Sequence, residues 1–322
     1  MIKVGVIVAG HLGKIHLNIL NNSDFELVGF HDTDVFNSEK LSQEKGYSFF
    51  KELHLLIEKI DAAVIVSPTT THFEIAKECI NKGKHIFVEK PLTKDSNEAR
   101  IIETMAKEKG IIGQVGFVER YNEAFISCRE FINNPKFIES HRLSDFNPRG
   151  TDVSVIMDLM IHDIDILLSL VEVPIKKIQA TGLSILTNSI DIAHARIRFE
   201  DGTVASVMSS RIAKDEVRKV KIFQKDLYAT LDLLIGSTEI YEVVNDKTSK
   251  YKMTIPFDYK GNTKLIGYHK PDLSKGDPLR MELENFILSI QGKQLPIVSG
   301  KDGRDALEVA IKIQEMIILD KH

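Results

Sequence analysis

Short apolar runs alternate with amphipathic stretches through the first third of this chain, and that alternation limits the fold more than any other feature. Strand-like runs fall at Lys3–Ala9, Glu26–His31, Ala62–Ser67, His85–Glu89 and Ile111–Gly116, with helical patterns at Leu12–Asn21, Thr71–Lys82 and Ser96–Lys109 between them. The runs are almost continuously apolar, as strands buried on both faces must be. A parallel sheet wound with helices on both sides follows, the doubly wound α/β class. After Val118 the rhythm changes. A helix near Asn122–Phe131 and a strand near Phe137–Phe146 lead into an apolar helix, Val155–Val171. Strand-like runs then follow one another at Lys177–Thr187, Ala193–Phe199, Thr203–Ser210, Arg218–Phe223, Leu227–Leu233 and Glu239–Val243. Successive strands without helices between them indicate a mostly antiparallel or mixed sheet, hence an α+β region. The polar stretch Phe257–Asp277 reads as a long loop, and helices near Pro278–Ile290 and Gly303–Leu319 close the chain. Two domains are expected, 1–118 and 119–322.

Composition excludes several classes of function. With 42 basic and 46 acidic residues among 322, the chain has no electrostatic footprint for nucleic acid. Cys79 and Cys128 stand far apart and outside any CxxC spacing, which argues against a disulfide framework or a zinc site. The apolar start Val4–Ala9 is too short for a signal peptide, and Asp158, His162, Asp163 and Asp165 interrupt the apolar helix, so it is no membrane span. A soluble, cytoplasmic chain acting on a small molecule is expected, with no resident metal.

The first strand runs into Ala9-Gly10-His11-Leu12-Gly13 and then a helix, the context in which a dinucleotide fingerprint occurs. Gly10 lets main-chain amides approach a pyrophosphate, and Gly13 permits close packing of helix on strand. The first glycine of the fingerprint is replaced by Val8. A β-branched residue avoids positive φ, so the turn is expected in an ordinary backbone conformation. Asp32 ends the second apolar run 19 positions after Gly13, close to the ~20 expected of the acid that binds the ribose hydroxyls. A carboxylate there repels a 2′-phosphate, and the following Thr33 brings no cation, so NAD is favoured over NADP. Asp34 is an equivalent candidate.

Ser67-Pro68-Thr69 and His72 follow the third strand, where a loop runs along a bound dinucleotide; Thr70 or Thr71 can instead cap the next helix, and His72 suits a helix start better than catalysis. Glu89-Lys90-Pro91 closes the fourth apolar run, at the carboxyl end where such sheets place ligands. The proline biases Lys90 towards extended geometry. Further on, Asp158 and His162 lie one helical turn apart.

Taken together, the glycine turn, Asp32, Ser67-Pro68-Thr69 with His72, Glu89-Lys90-Pro91, and Asp158 with His162 resemble the glucose–fructose oxidoreductase / inositol dehydrogenase family along essentially the whole chain. The resemblance implies an N-terminal Rossmann domain, and a C-terminal domain with an open, mostly antiparallel sheet whose exposed face makes homodimers or homotetramers. It also implies reversible oxidation of a sugar or cyclitol hydroxyl with NAD(P). Oxidising a secondary alcohol requires a base with pKa near working pH, and histidine is the default. His162 is therefore the expected base. Asp158, four residues away, orients it or holds substrate, and Lys90 from the other domain polarises the alcohol oxygen beside the nicotinamide. Asp163 is expected to serve structure, with Asp165 undecided.

Arg120 and Asn122, after the last Rossmann strand, occupy positions where family members place substrate contacts. Arg142 and Arg149 precede the His162 helix, and paired guanidinium groups suit a diphosphate. The resemblance then points to the branch oxidising nucleotide sugars, of the UDP-N-acetylglucosamine kind at the 3-hydroxyl. The alternatives are a dehydrogenase of a free sugar or inositol, and a non-catalytic regulator that senses dinucleotide.

Overall fold

The computed structural model describes residues 1–148, 153–244, 251–273 and 276–319. They form two units, Met1–Val118 with Leu279–Glu308, and Glu119–Pro278 with the segment from Val309 onward. The division at Val118 coincides with the change of sequence rhythm. Residues Leu279–Glu308 join the first unit, unlike a simple 119–322 domain, because Leu283, Phe286 and Ile287 bury in its core beside Phe87.

In the first unit six strands, β1 (Lys3–Ile7), β2 (Glu26–His31), β3 (Phe49–Phe50), β4 (Ala62–Ile65), β5 (His85–Glu89) and β6 (Gly113–Gly116), pair in parallel in the order β3-β2-β1-β4-β5-β6. Helices α1 (His11–Asn21), α2 (Val35–Lys45), α3 (Leu53–Lys59), α4 (Thr69–Asn81) and α5 (Ser96–Glu108) make the crossovers. Val4, Val6 and Ile7 of β1 and every residue of β4 are fully buried. Each valine and isoleucine among them contributes about 1.5–3 kcal/mol by leaving water. The chain leaves β1 towards β2 on one side and returns to β4 on the other. Their carboxyl ends therefore flank the topological switch point, where doubly wound sheets bind ligands.

The second unit opens with a 3₁₀ turn over Val118–Tyr121, then α6 (Glu123–Arg129), β7 (Phe137–Leu143), a π-turn over Ile156–Met160 and α7 (Ile161–Leu170). β8 (Ile175–Leu183), β9 (Ile192–Phe199), β10 (Val204–Ser210), β11 (Val217–Gln224), β12 (Leu227–Asp232), β13 (Ser237–Val244), β14 (Met253–Tyr259) and β15 (Asn262–His269) follow. The nine strands order as β14-β15-β13-β12-β11-β7-β10-β9-β8, antiparallel except for the parallel β7–β10 pair. α6 and α7 cover one face. On the other, Phe137, Phe223, Tyr228, Tyr241 and Tyr268 stand directly opposite one another on five neighbouring strands, ring centroids 4.8–5.9 Å apart. α8 (Pro278–Ile290) and α9 (Gly300–Leu319) end the chain.

The stretch Phe257–Asp277 is not the long loop its polarity suggests, since the end of β14 and all of β15 fall within it. Lys260 and Gly261, at φ 50° and 76°, form a two-residue hairpin turn of the kind that matches strand twist. β14 does alternate Met253, Ile255, Phe257 and Tyr259 with Thr254, Pro256 and Asp258, but it begins before the polar stretch and carries a proline, which suits an edge strand. Among the described residues, no helix is long and apolar enough to cross a membrane, and no cluster of His, Cys, Asp and Glu has the makings of a metal site.

Candidate active site

At the end of β1, Val8 adopts φ 73°. The expectation of an ordinary backbone there is overturned: the turn is the fingerprint turn, made with a β-branched residue. Two neighbours force it. The Val8 N–H donates to the His31 carbonyl at 2.8 Å. The Val8 carbonyl lies so close to α1 that a Cβ on Gly13 would stand 2.1 Å from its oxygen. Gly13 is thus required by close approach. Gly10 is the N-cap of α1 and supplies no side chain to cap it, and a Cβ there would meet nothing within 4 Å. The N-terminus of α1 therefore faces open space at the switch point, with its positive dipole end outward. His11 and Leu12 are exposed beside it.

Asp32 lies just past β2, and its carboxylate accepts hydrogen bonds from the Ala9 amide at 2.8 Å and the Asp34 amide at 3.0 Å. It is brought against the glycine turn, as a ribose-binding acid is. Asp34, the alternative, is committed elsewhere: its carboxylate caps α2 through the Asn37 amide at 3.1 Å. Glycine turn, helix N-terminus and terminal acid fit a dinucleotide.

After β4, the Thr71 hydroxyl bonds Ser67 Oγ and the Pro68 carbonyl, both at 2.8 Å, so it braces its own loop; α4 begins already at Thr69. His72, 1 % exposed, sets Nε2 at 2.7 Å from the Ser67 carbonyl and Nδ1 at 3.0 Å from the Pro91 carbonyl. Both nitrogens are occupied by main chain, which leaves no capacity for the cofactor contact the sequence suggested. Glu89 likewise turns inward, its carboxylate 2.8 Å from His16 Nε2. Lys90 follows, half-buried, at the carboxyl edge of the sheet, and the Lys90–Pro91 peptide is cis. His16 was missed in the sequence. Its signal was spacing: Gly13, His16, Leu17 and Leu20 form the buried face of α1, and a histidine in such a face needs a partner.

In the second unit Asp158 lies in the π-turn and His162 in the first turn of α7. Both are half-buried, whereas Ile156, Met160, Ile161, Asp163, Ile164 and Asp165 are buried. Single π-turns inside helices are frequent at functional sites.

The arginines depart from expectation. Arg142, 4 % exposed, places Nε 2.7 Å from Asp163 and Nη1 2.8 Å from Glu119, while Ser140 donates to Asp163 at 2.8 Å. Burial opposes the charge, but the two carboxylates more than offset it and raise the guanidinium pKa above its ordinary value. Arg142 is a structural cation, unavailable to a diphosphate. Its position on the covered face of β7 decides this, because a guanidinium buried there must recruit carboxylates. Arg120, 5 % exposed, lies 3.6 Å from Asp165. Asn122 caps α6 through the Ala124 amide and donates to Glu119 and to the Leu233 carbonyl, so it too is a structural residue. Arg149 lies outside the described residues. Cys79 and Cys128 are buried and carry free thiols pushed up to about 12 by burial, inert at neutral pH.

Residues 2–117 match the model of an oxidoreductase family with an NAD-binding Rossmann fold, and residues 130–225 match the GFO/IDH/MocA C-terminal domain. UDP-N-acetylglucosamine 3-dehydrogenase of Acidithiobacillus ferrooxidans is 31 % identical over 97 % of this chain and 96 % of its own. The chain belongs to the GFO/IDH/MocA family. A solved structure of that dehydrogenase superposes with TM-score 0.88, at 30 % identity over 98 % of this chain and 97 % of the other. Myo-inositol 2-dehydrogenase of Thermotoga maritima is 27 % identical over 95 % of this chain and 93 % of its own. As a GFO/IDH/MocA member the protein is an NAD(P)-dependent oxidoreductase acting on CH–OH groups, which sets aside the reading as a non-catalytic sensor.

Proposed function

We propose that the protein is an NAD-dependent dehydrogenase of a nucleotide-activated sugar, oxidising the 3-hydroxyl of a UDP-N-acetylglucosamine-like substrate in the cytoplasm. The observation that carries this reading is the end-to-end likeness, in sequence and fold, to UDP-N-acetylglucosamine 3-dehydrogenase. Asp32 beside the glycine turn supports NAD over NADP, since its carboxylate opposes a 2′-phosphate.

When bound, the dinucleotide accepts the hydride leaving the alcohol carbon. The chain's own residues handle the proton. Lys90 donates a hydrogen bond to the reacting oxygen, which favours its developing negative charge. His162 takes the hydroxyl proton as the C–O bond becomes a carbonyl, and Asp158 orients the imidazole or the substrate. The aromatic row on the open sheet face supports assembly into homodimers or homotetramers, since apolar rings on an exposed sheet are suited to burial against a second copy.

The likeness to an inositol dehydrogenase, and the inward commitment of Arg142, favour a second reading with a free sugar or inositol as substrate. NAD reduction measured across UDP-hexoses, free hexoses and inositols separates the two. Turnover confined to UDP-sugars supports the first reading; turnover confined to free polyols replaces it. His162→Asn should abolish turnover with NADH affinity intact, and a fully active variant would remove His162 from the mechanism.

A further inference from the structure

The loop after β5 holds Lys90 between two anchored neighbours. Glu89 is bound by His16 at 2.8 Å, and the Pro91 carbonyl by His72 at 3.0 Å. β4 and β5 end at Ile65 and Glu89. The carbonyls of Ser67 and Pro91 therefore lie beyond the sheet ladder and must find donors outside it. The His72 ring lies between the two, at 2.7 and 3.0 Å, and when neutral it donates to one of them.

We propose that His72 is a positioning residue for Lys90, its ring donating from Nδ1 to the Pro91 carbonyl and so fixing the loop that carries Lys90. This rests on the dehydrogenase reading, in which Lys90 meets the substrate oxygen. The ring joins the segment after β4 to the segment after β5, so the main chain on either side of Lys90 is held before any ligand arrives. A lysine on an unbraced loop would sample positions ångströms apart, and ~1 Å of misplacement costs about 100-fold in rate.

Two substitutions separate the halves of the brace. In His72→Asn the amide nitrogen falls near the place of Nδ1, facing Pro91; in His72→Gln it falls near the place of Nε2, facing Ser67. Each is measured for turnover, NADH affinity by fluorescence titration and thermal midpoint, in the Lys90 and Lys90→Met backgrounds. With the substrate the wild type turns over, His72→Gln is expected to lower kcat by roughly 10- to 100-fold, and His72→Asn by less than about 5-fold. NADH affinity should stay within about threefold, and the Gln penalty should vanish in the Lys90→Met background, where nothing is left to position. Equal losses in Asn and Gln, an undiminished penalty without Lys90, or loss of NADH binding in step with kcat overturns the proposal. If the wild type turns over no sugar, the functional reading is what fails. The isotope-labelled N-methyl resonance of Lys90, assigned by its absence in Lys90→Met, then decides the positioning with NADH bound. It should move in His72→Gln and hold in His72→Asn, and the reverse or no change overturns it.

Discussion

His16 Nε2 lies 2.8 Å from Glu89 Oε1, linking the first helix of the fold to the last residue of β5. The ring is fully buried and packs 5.6 Å from Phe87, so the pair closes the sheet's carboxyl edge immediately before Lys90. His16→Ala leaves the Glu89 carboxylate without this partner. A loss of about 1–3 kcal/mol in chemical denaturation is expected, together with a fall in kcat. A variant as stable and active as wild type would show that the contact does nothing for the loop.

Val8 at φ 73° occupies a conformation that β-branched residues resist. Val8→Gly restores the first fingerprint glycine and releases strain of order 1–3 kcal/mol, part of it returned to the entropy of the unfolded glycine. A net gain of about 1 kcal/mol is expected, read as a higher denaturation midpoint with NADH affinity unchanged or tighter. A less stable variant would mean that the Val8 side chain holds the turn through packing.

Asp163 accepts from Arg142 and Ser140 in the second unit. Asp163→Asn keeps the shape and removes the charge, stranding a buried guanidinium that retains only Glu119. Breaking such a pair from one side costs about 3–5 kcal/mol, so the variant should unfold at markedly lower denaturant. A loss under about 1 kcal/mol would mean that water reaches Arg142.

Burial lowers the pKa of His72 below 6.5, against the two carbonyls and Glu89, which favour the charged ring; burial likewise lowers that of His85, against Asp61. Unfolded histidines take up protons near 6.5 while these native rings resist until lower pH, so acid favours the unfolded chain. Stability is complete above about pH 6.5 and declines as pH falls through the lowered values, at up to about 1.4 kcal/mol per proton per pH unit. Denaturation at pH values from 8 down to 5 checks the slope, and His72→Gln should flatten it. A stability that rises towards acid would contradict the burial of neutral rings.

Period and position made much of this legible. Five apolar runs alternating with helices gave the Rossmann unit, missing only the two-residue β3 and the helices beside it. Asp32 was found because its distance from Gly13 is fixed by one βαβ crossing. Where the reading failed, a side chain's direction was the unknown. Arg142 lies on a strand, where alternate residues face opposite ways, and its nearness to Arg149 suggested a diphosphate when the register said core. Asn122 stood at a helix start, where capping competes with every other use of an amide. Val8 broke a conformational preference, and only its hydrogen bond to the His31 carbonyl and the approach of its own carbonyl to Gly13 show why. β14 was passed over because Pro256 and the polar residues after Tyr259 mask its alternation of Met253, Ile255, Phe257 and Tyr259.

The chain has no tryptophan, and six of its seven tyrosines lie in the second unit, three of them in the stacked row across the sheet. Intrinsic ultraviolet emission is therefore almost a private signal of that half, with Tyr47 the lone emitter in the other. NADH brings its own fluorophore to the Rossmann half. Two colours of light can thus follow the melting of each half separately in one unlabelled sample.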